Sequence, residues 1–328
     1  MATIQDVAKL AGLSRTTVSR VINRHPYVTD EKKRLVMNAM EELNYVPNSS
    51  ARRLRKQQTE TIAVYVPRIT NPFFSQMVEV MGNYASDRGY QLILCQTSYS
   101  RNQEINYLEL LKTKQVDGLI LTSIENEWSS IEPYMNYGPI MLCNEYNDQA
   151  QVPTVYLDQI EGAYIGTRHL IEQGHTRIAY CSGDNHASRV ASDRYTGYKK
   201  ALEEAGIVPR EDWFLTNAYS IDDGKRVFND IAKMNDRPTA VFTGSDEVAA
   251  GIWKEALNHK WDVPNHLAII GFDDQPVADL IGLTTIRQPI ENMGQQAMEL
   301  MIDSIQHKLP SKKKEIKLDF ELVKRRST

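Results

Sequence analysis

Two groups of residues in this chain have the types and spacing to do chemistry. The first lies in "RTTVSRVIN", where Arg15, Thr16 and Arg20 take one side of a short helical segment and Val18 and Val21 the other. An arginine so placed can bridge guanine O6 and N7, and a threonine can bond a base edge or touch a thymine methyl. The same side chains on phosphates alone would add affinity without sequence choice. Downstream, "VPNSSARRLRKQ" sets Arg52, Arg53, Arg55 and Lys56 around one leucine, Leu54, for which nothing nearby offers a core.

The second group follows a series of apolar runs. Phe73 and Phe74 lie in "NPFF", Asn144 follows "IMLC", Tyr219 follows "WFLTNA" and Ser245 with Asp246 follows "TAVFTG". Asp273 and Asp274 follow "IIGF", and Arg194 opens "RYTGYKKAL". Polar groups with two or three aromatics suit a sugar, whose ring stacks on aromatic faces while its hydroxyls bond planar charged groups. Phe74 also reads as plain core, Asp246 as a helix N-cap and Asp274 as a solvated neighbour. An enzyme is not expected. The seven histidines show no HExxH spacing, and neither a GxSxG elbow nor a GxxxxGK[ST] loop occurs. His169 and His175, near a helix end, are better explained by packing or capping. No metal and no cofactor are expected.

Short helices must position the first group. "TIQDVAKLAG" opens with Thr3 and Asp6 in a capping-box-like start, which predicts a helix over about 4–10. Ser14 caps a second helix and Thr29 a third, whose apolar stripe is Val36, Met40 and Leu43; Asn44 and Pro47 end it. Ala8, Gly12 and Val18 have helix-turn-helix spacing: a small residue at the crossing, a residue tolerant of positive φ in the turn, and an apolar anchor. In such a unit the second helix enters the major groove N-terminus first. Charge agrees. Residues 1–58 hold 11 Lys and Arg against 5 Asp and Glu, a balance of +6 within a net charge of −4. A small basic head on an acidic body suggests a polyanion-binding module, although a solvated basic face would carry the same charge.

From Thr61 onward, "TIAVYV", "QLILCQ", "GLILTS", "IMLCN", "TVYLD", "RIAYCSG", "TAVFTGS" and "LAIIGFDD" alternate with helical stretches. Short apolar strands with helical crossovers predict parallel sheets covered on both faces, and so many units predict two doubly wound lobes. Ligands of such folds bind beyond the carboxyl ends of the strands. No run of 18 apolar residues occurs, so no membrane span is expected. The polar N-terminus "MATIQDVAKLAG" does not suit a signal peptide, and Cys95, Cys143 and Cys181 in apolar runs read as buried free thiols; both point to the cytoplasm.

"TIQDVAKLAGLSRTTVSRVIN", "VTDEKKRLVMNAMEELNYVPN" and "SARRLRK" resemble the head of the lactose/galactose-repressor (LacI/GalR) family of bacterial transcription regulators. The likeness continues through "NPFF", "KQVDGLIL", "LIEQGHTRIAY", "PTAVFTGSDEVAAG", "LTTIRQP" and "LVKRRST". It implies an all-α helix-turn-helix head at 1–46, a hinge helix at 47–58 and a two-lobed body like a periplasmic binding protein at 59–328. Lobe 1 would span about 59–158 and 289–318 and lobe 2 about 159–288 and 319–328, with crossings near Asp158, Arg287–Pro289 and Asp319.

The implied DNA contacts are Thr3, Ser14, Arg15, Thr16, Thr17, Ser19, Arg20 and Asn23 from the head, with Asn48, Ala51, Arg52, Leu54 and Arg55 from the hinge. Leu54 would wedge between base steps in the minor groove and kink the duplex, whereas a stray linker leucine would do nothing. A helix of about eight residues is marginal alone and should fold on DNA. The implied effector contacts are Phe73, Phe74, Asn144, Arg194, Tyr219, Ser245 and Asp273, with Asp246 and a loop residue, Arg189, as further candidates.

The resulting expectation is a repressor that binds a pseudo-palindromic operator as a homodimer, with a sugar or sugar phosphate in the cleft. Effector binding would change lobe closure and so the separation of the two hinge helices. The chain stops at "RRST" without an apolar heptad tail, so a dimer is expected. A transport component with a solute-binding fold is the alternative, but it would need a signal peptide and would not carry the head. Some Gram-positive relatives take a phosphocarrier protein as partner. "DQPVADLIGL" offers no basic residue for it, so that partner is not expected.

Overall fold

The computed structural model describes residues 2–23, 25–46, 58–183, 188–307 and 314–328. It divides into two compact units, Met1–Gln58 and Thr59–Thr328. Asn48, Ala51, Arg52, Leu54 and Arg55 lie outside the described residues.

In the first unit, α1 (Ile4–Leu10), α2 (Arg15–Ile22) and α3 (Asp30–Glu42) surround a small core. Thr3 and Asp6 form a reciprocal capping box on α1, and Ser14 Oγ accepts from the Thr17 amide at 3.1 Å on α2. Thr29 stands at the N-cap of α3, but its hydroxyl makes no capping bond; Asp30 and Glu31 in the first turn answer the helix dipole instead. The turn between α1 and α2 passes through Gly12 at φ 65°, a conformation that strains any residue with a Cβ. Val7, Val18 and Val36 are fully buried. The stripe of α3 centres on Val36 and Ala39, with Met40 and Leu43 only partly covered.

The second unit holds two six-stranded sheets. One contains β1 (Thr61–Val66), β2 (Gln91–Gln96), β3 (Gly118–Leu121), β4 (Ile140–Cys143), β5 (Thr154–Leu157) and β11 (Glu315–Leu318) in the order β11-β5-β4-β3-β1-β2, every pair parallel. The other contains β6 (Ile178–Cys181), β7 (Phe214–Leu215), β8 (Ala240–Thr243), β9 (Ala268–Asp273), β10 (Thr284–Arg287) and β12 (Glu321–Val323) in the order β12-β10-β9-β8-β6-β7. Here β12 runs antiparallel to β10, so the parallel pattern breaks at one edge. The chain changes sheet after Leu157, after Arg287 and after Leu318.

Helices cover each sheet on both faces, which is why the inner strands read as unbroken apolar runs. On the first sheet, α4 (Pro72–Asp87) and α12 (Ile290–His307) cover one face, and α5 (Arg101–Lys112) with α6 (Trp128–Ile131) covers the other. On the second sheet, α7 (Gln159–Glu172) and α8 (Arg189–Glu204) face α9 (Ile221–Lys233), α10 (Asp246–Asn258) and α11 (Pro276–Ile281). The three cysteines are buried free thiols. His169 Nε2 bonds Thr328 Oγ1 and His175 Nδ1 bonds Thr239 Oγ1, both in packed surroundings. Strand β2 departs from its apolar composition: as an edge strand it leaves Ile93 and Leu94 39% and 41% exposed.

Candidate functional site

In the N-terminal unit, α2 presents Arg15, Thr16 and Arg20 to solvent while Val18 anchors its inner face. Other candidate DNA contacts on this unit are engaged locally. Thr3 Oγ1 donates to Asp6, Ser14 Oγ pairs with Thr17 Oγ1 at 2.9 Å, and Asn23 Nδ2 donates to the Ser19 carbonyl at 2.7 Å. These side chains shape the ends of α1 and α2. The exposed arginines and Thr16 are left as the groups with free reach.

In the body, a cavity of about 290 Å³ lies between the two sheets. Its walls are built from residues just past the carboxyl ends of the strands: Tyr99 after β2, Ser123 after β3, Asn144 and Glu145 after β4, Tyr219 after β7, Ser245 after β8 and Gln288 after β10, with Asp273 ending β9. Parallel strands all point their ends to one rim, so residues far apart in sequence converge there. Phe73 and Phe74, in the first turn of α4, pack edge to face at 5.1 Å and line the cavity while also belonging to the core of the first sheet.

Arg194 is the centre of the second-sheet wall. It lies in the sixth position of α8, one and a half turns inside the helix that Ser188 caps, and so does not open it. Its Nε donates to Gln159 Oε1 at 2.8 Å and its Nη1 to the Gly244 carbonyl at 2.7 Å, and its guanidinium lies 3.6 Å from the Phe272 ring centre. Asp273 faces it, with Nη2 to Oδ1 at 4.0 Å, and also accepts from Gln288 Nε2 at 2.6 Å and Gln275 Nε2 at 3.1 Å. Burial pushes the Asp273 carboxyl up to about 6, against the pull of Arg194 and the two amides. Asp273 and Asn144 adopt φ 109° and 71°, non-glycine conformations of the kind that cluster at binding sites.

Seven of the nine residues singled out from sequence for this site therefore line one cavity: Phe73, Phe74, Asn144, Arg194, Tyr219, Ser245 and Asp273. Two do not. Arg189 is the first residue of α8; it pairs with Asp193 at 3.1 Å and Asp148 at 3.3 Å and lies over the Tyr146 ring, joining the lobes outside the cavity. Asp246 is fully buried beneath the wall. It accepts from the Gln275 amide at 2.7 Å and Thr285 Oγ1 at 2.6 Å, which holds the turn after Asp273, and Ser245 rather than Asp246 caps α10. Asp274 is paired too, with Arg287 at 2.7 Å and Arg325 at 2.8 Å.

Sequence reasoning passed over Tyr99, Glu145 and Gln288. All three immediately follow or lie close behind strand ends, so the rule that found Asn144 would have found them. Tyr99 meets Tyr219 across the cleft at 5.0 Å, and Gln275 reaches Asn71 at 3.3 Å, so the two lobes already touch around the cavity. Among the described residues no cluster has metal-binding composition, and no helix is long and apolar enough to cross a membrane.

Residues 59–324 match the family described as periplasmic binding proteins and sugar binding domain of LacI family, and residues 3–48 match bacterial regulatory proteins, lacI family. The chain is 44% identical over 330 residues to the NTD biosynthesis operon regulator NtdR of Bacillus subtilis (strain 168), covering 100% of both. It is 36% identical to the HTH-type transcriptional repressor PurR of Vibrio campbellii (strain ATCC BAA-1116), covering 94% of this chain and 93% of that one. Among solved structures, the lac repressor dimer bound to operator and the anti-inducer ONPF is similar at a TM-score of 0.85 and 25% identity, over 99% of this chain and 98% of that one. The complex of the transcriptional regulator CelR with cellobiose is similar at 0.73 and 29% identity, over 100% of both.

Proposed function

This chain belongs to the LacI family of bacterial regulatory proteins, and we propose that it is a cytoplasmic repressor that binds a pseudo-palindromic operator as a homodimer under control of a polyhydroxylated effector. The observation that carries the effector reading is the buried Arg194–Asp273 pair opposite Asn144, a forked donor and planar acceptors around a cavity sized for about one or two sugar rings. Arg194 is already engaged by Gln159, Gly244 and Asp273, which favours hydroxyls over a phosphate as its ligands. A transport component would have no use for residues that match a DNA-binding regulator family.

Operator contact is assigned to Arg15, Thr16 and Arg20 on α2 and to the hinge residues Arg52, Leu54 and Arg55. Coupling between DNA and effector is a difference in effector affinity between two states, typically about 1–3 kcal/mol, and it is reciprocal. The test is operator binding by the full chain with and without a panel of sugars. Asp273→Ala is expected to bind operator but lose every response to the effector; a response kept at wild-type size puts the effector elsewhere. Leu54→Ala is expected to weaken specific binding by a few kcal/mol and nonspecific binding much less. Equal losses on operator and random DNA would reject the wedge.

A further inference from the structure

The cleft has a charge balance that a neutral sugar does not require. Among the described lining residues, Glu125, Glu145 and Asp273 bring carboxyls and Arg194 the one guanidinium. Carboxyls alone would carry little, but the same walls hold buried acceptors without donors. Asn144 Oδ1 and Gln288 Oε1 accept from no group, and their residues are 5% and 4% exposed. Their orientation is set by what their other ends do. Asn144 Nδ2 donates to the Thr122 carbonyl at 3.4 Å and Gln288 Nε2 to Asp273 Oδ1 at 2.6 Å. Both partners only accept, so turning either amide over would set oxygen against oxygen. Each amide oxygen is shielded and unsatisfied, on a residue that lines the cavity, and only a donor would satisfy it.

We propose that the cleft selects a sugar-class ligand bearing a primary ammonium group, which Glu145 and the free oxygen of Asn144 seat, while its hydroxyls go to Arg194, Asp273 and Gln288. An ammonium carries three donors and no acceptor, which is the complement of these groups. Glu145 is 4% exposed, follows Asn144 directly after β4 and lines the same cavity as Ser188 of the facing lobe, so it stands where the lobes meet. Burial first, then Glu125 and Asp193, hold its carboxyl up to about 8. A cation beside it offsets that cost, and the carboxyl ionises as the ligand arrives.

This inference rests on the reading of the cleft as a polyhydroxyl site, and the test separates the two. The full chain is titrated calorimetrically with two pairs of probes: glucosamine against glucose, and the glucosamine disaccharide against cellobiose. Within a pair, a hydroxyl replaces each amine on the same scaffold. At least one amine is expected to bind tenfold or more tighter than its partner, about the effect of one buried charge-assisted hydrogen bond. Glu145→Gln is expected to remove that preference, bringing the two members of each pair to within about twofold of one another. Equal affinity within both pairs overturns the ammonium subsite and leaves the sugar reading standing. A preference that survives Glu145→Gln also overturns it, because the amine then sits elsewhere. Failure of all four probes to bind at millimolar concentration overturns both readings. The comparison on the unaltered chain decides the matter even if Glu145→Gln does not fold.

Discussion

Arg194 and Asp273 sit at 9% and 6% side-chain exposure and face each other, so each buried charge is compensated by the other. Removing one partner of a buried pair leaves an uncompensated charge, which costs roughly 3 kcal/mol or more. Arg194→Ala is therefore expected to destabilise the body by about that amount. The sign of its pH dependence follows from Asp273, whose folded value of about 6 lies above its ordinary 3.8. Loss of the guanidinium raises it further, so protonation relieves the variant. Its deficit against the unaltered chain should be largest above pH 6 and shrink in acid, as read from urea denaturation at several pH values. Glu145 gives a second test. Its carboxyl rises from 4.5 to about 8, so its contribution to stability is full below 4.5 and is lost as pH climbs to about 8. Glu145→Gln should match the unaltered chain in mild acid and exceed it above pH 8; a constant offset would show that the carboxyl is not buried in this way.

At the scale of elements, close backbone approaches set where the walls stand. Helices α9 and α10 cross at paired glycines: a Cβ on Gly251 would come within 2.0 Å of the Ile221 carbonyl, and one on Gly224 within 2.2 Å of the Val248 carbonyl. Backbone oxygens cannot step aside as a flexible side chain can, so Gly251→Ala must push the helices apart. A loss of about 1–3 kcal/mol is expected, read from the denaturation midpoint. In the N-terminal unit, α2 has its arginines outward because Val18 is fixed inward. Arg15→Ala should relax preference at one or two operator positions, at about 1–3 kcal/mol for each lost base contact. If selection from random DNA returns an unchanged preference with lower affinity, Arg15 holds phosphate instead.

At the scale of the molecule, the edge strand β2 sets Ile93 and Leu94 half in solvent, an apolar stretch that pairing of two bodies would cover. Leu94→Asp is expected to shift the body toward monomer in sedimentation and to weaken operator binding, because a single head reads only half of a palindrome. Effector affinity should stay close to that of the unaltered chain, since Leu94 is outside the cavity. A variant that remains dimeric would move the interface to another face.

Local patterns alone determined the elements and the family. Capping residues before α1 and α2, the Ala8–Gly12–Val18 spacing and the unbroken apolar runs of β1, β4 and β9 are short-range features, legible because the backbone period and the free amides at helix starts act within a few residues. Strand ends were legible too, which is why Asn144 and Asp273 could be singled out together, whereas Arg194 lies inside a helix and was singled out through the family resemblance. What the sequence did not disclose depends on neighbours remote along the chain. Asp246 has the look of a cap or a ligand group, and only the arrival of Gln275 from the turn after β9 and of Thr285 from β10 turns it into a buried support. Arg189 is drawn outside the cavity by Asp148 from the opposite lobe. Glu145 looks like a surface carboxylate until the two lobes close over it. Burial and charge pairing are sums over the surroundings in space, and those surroundings exist only once both sheets have formed and met.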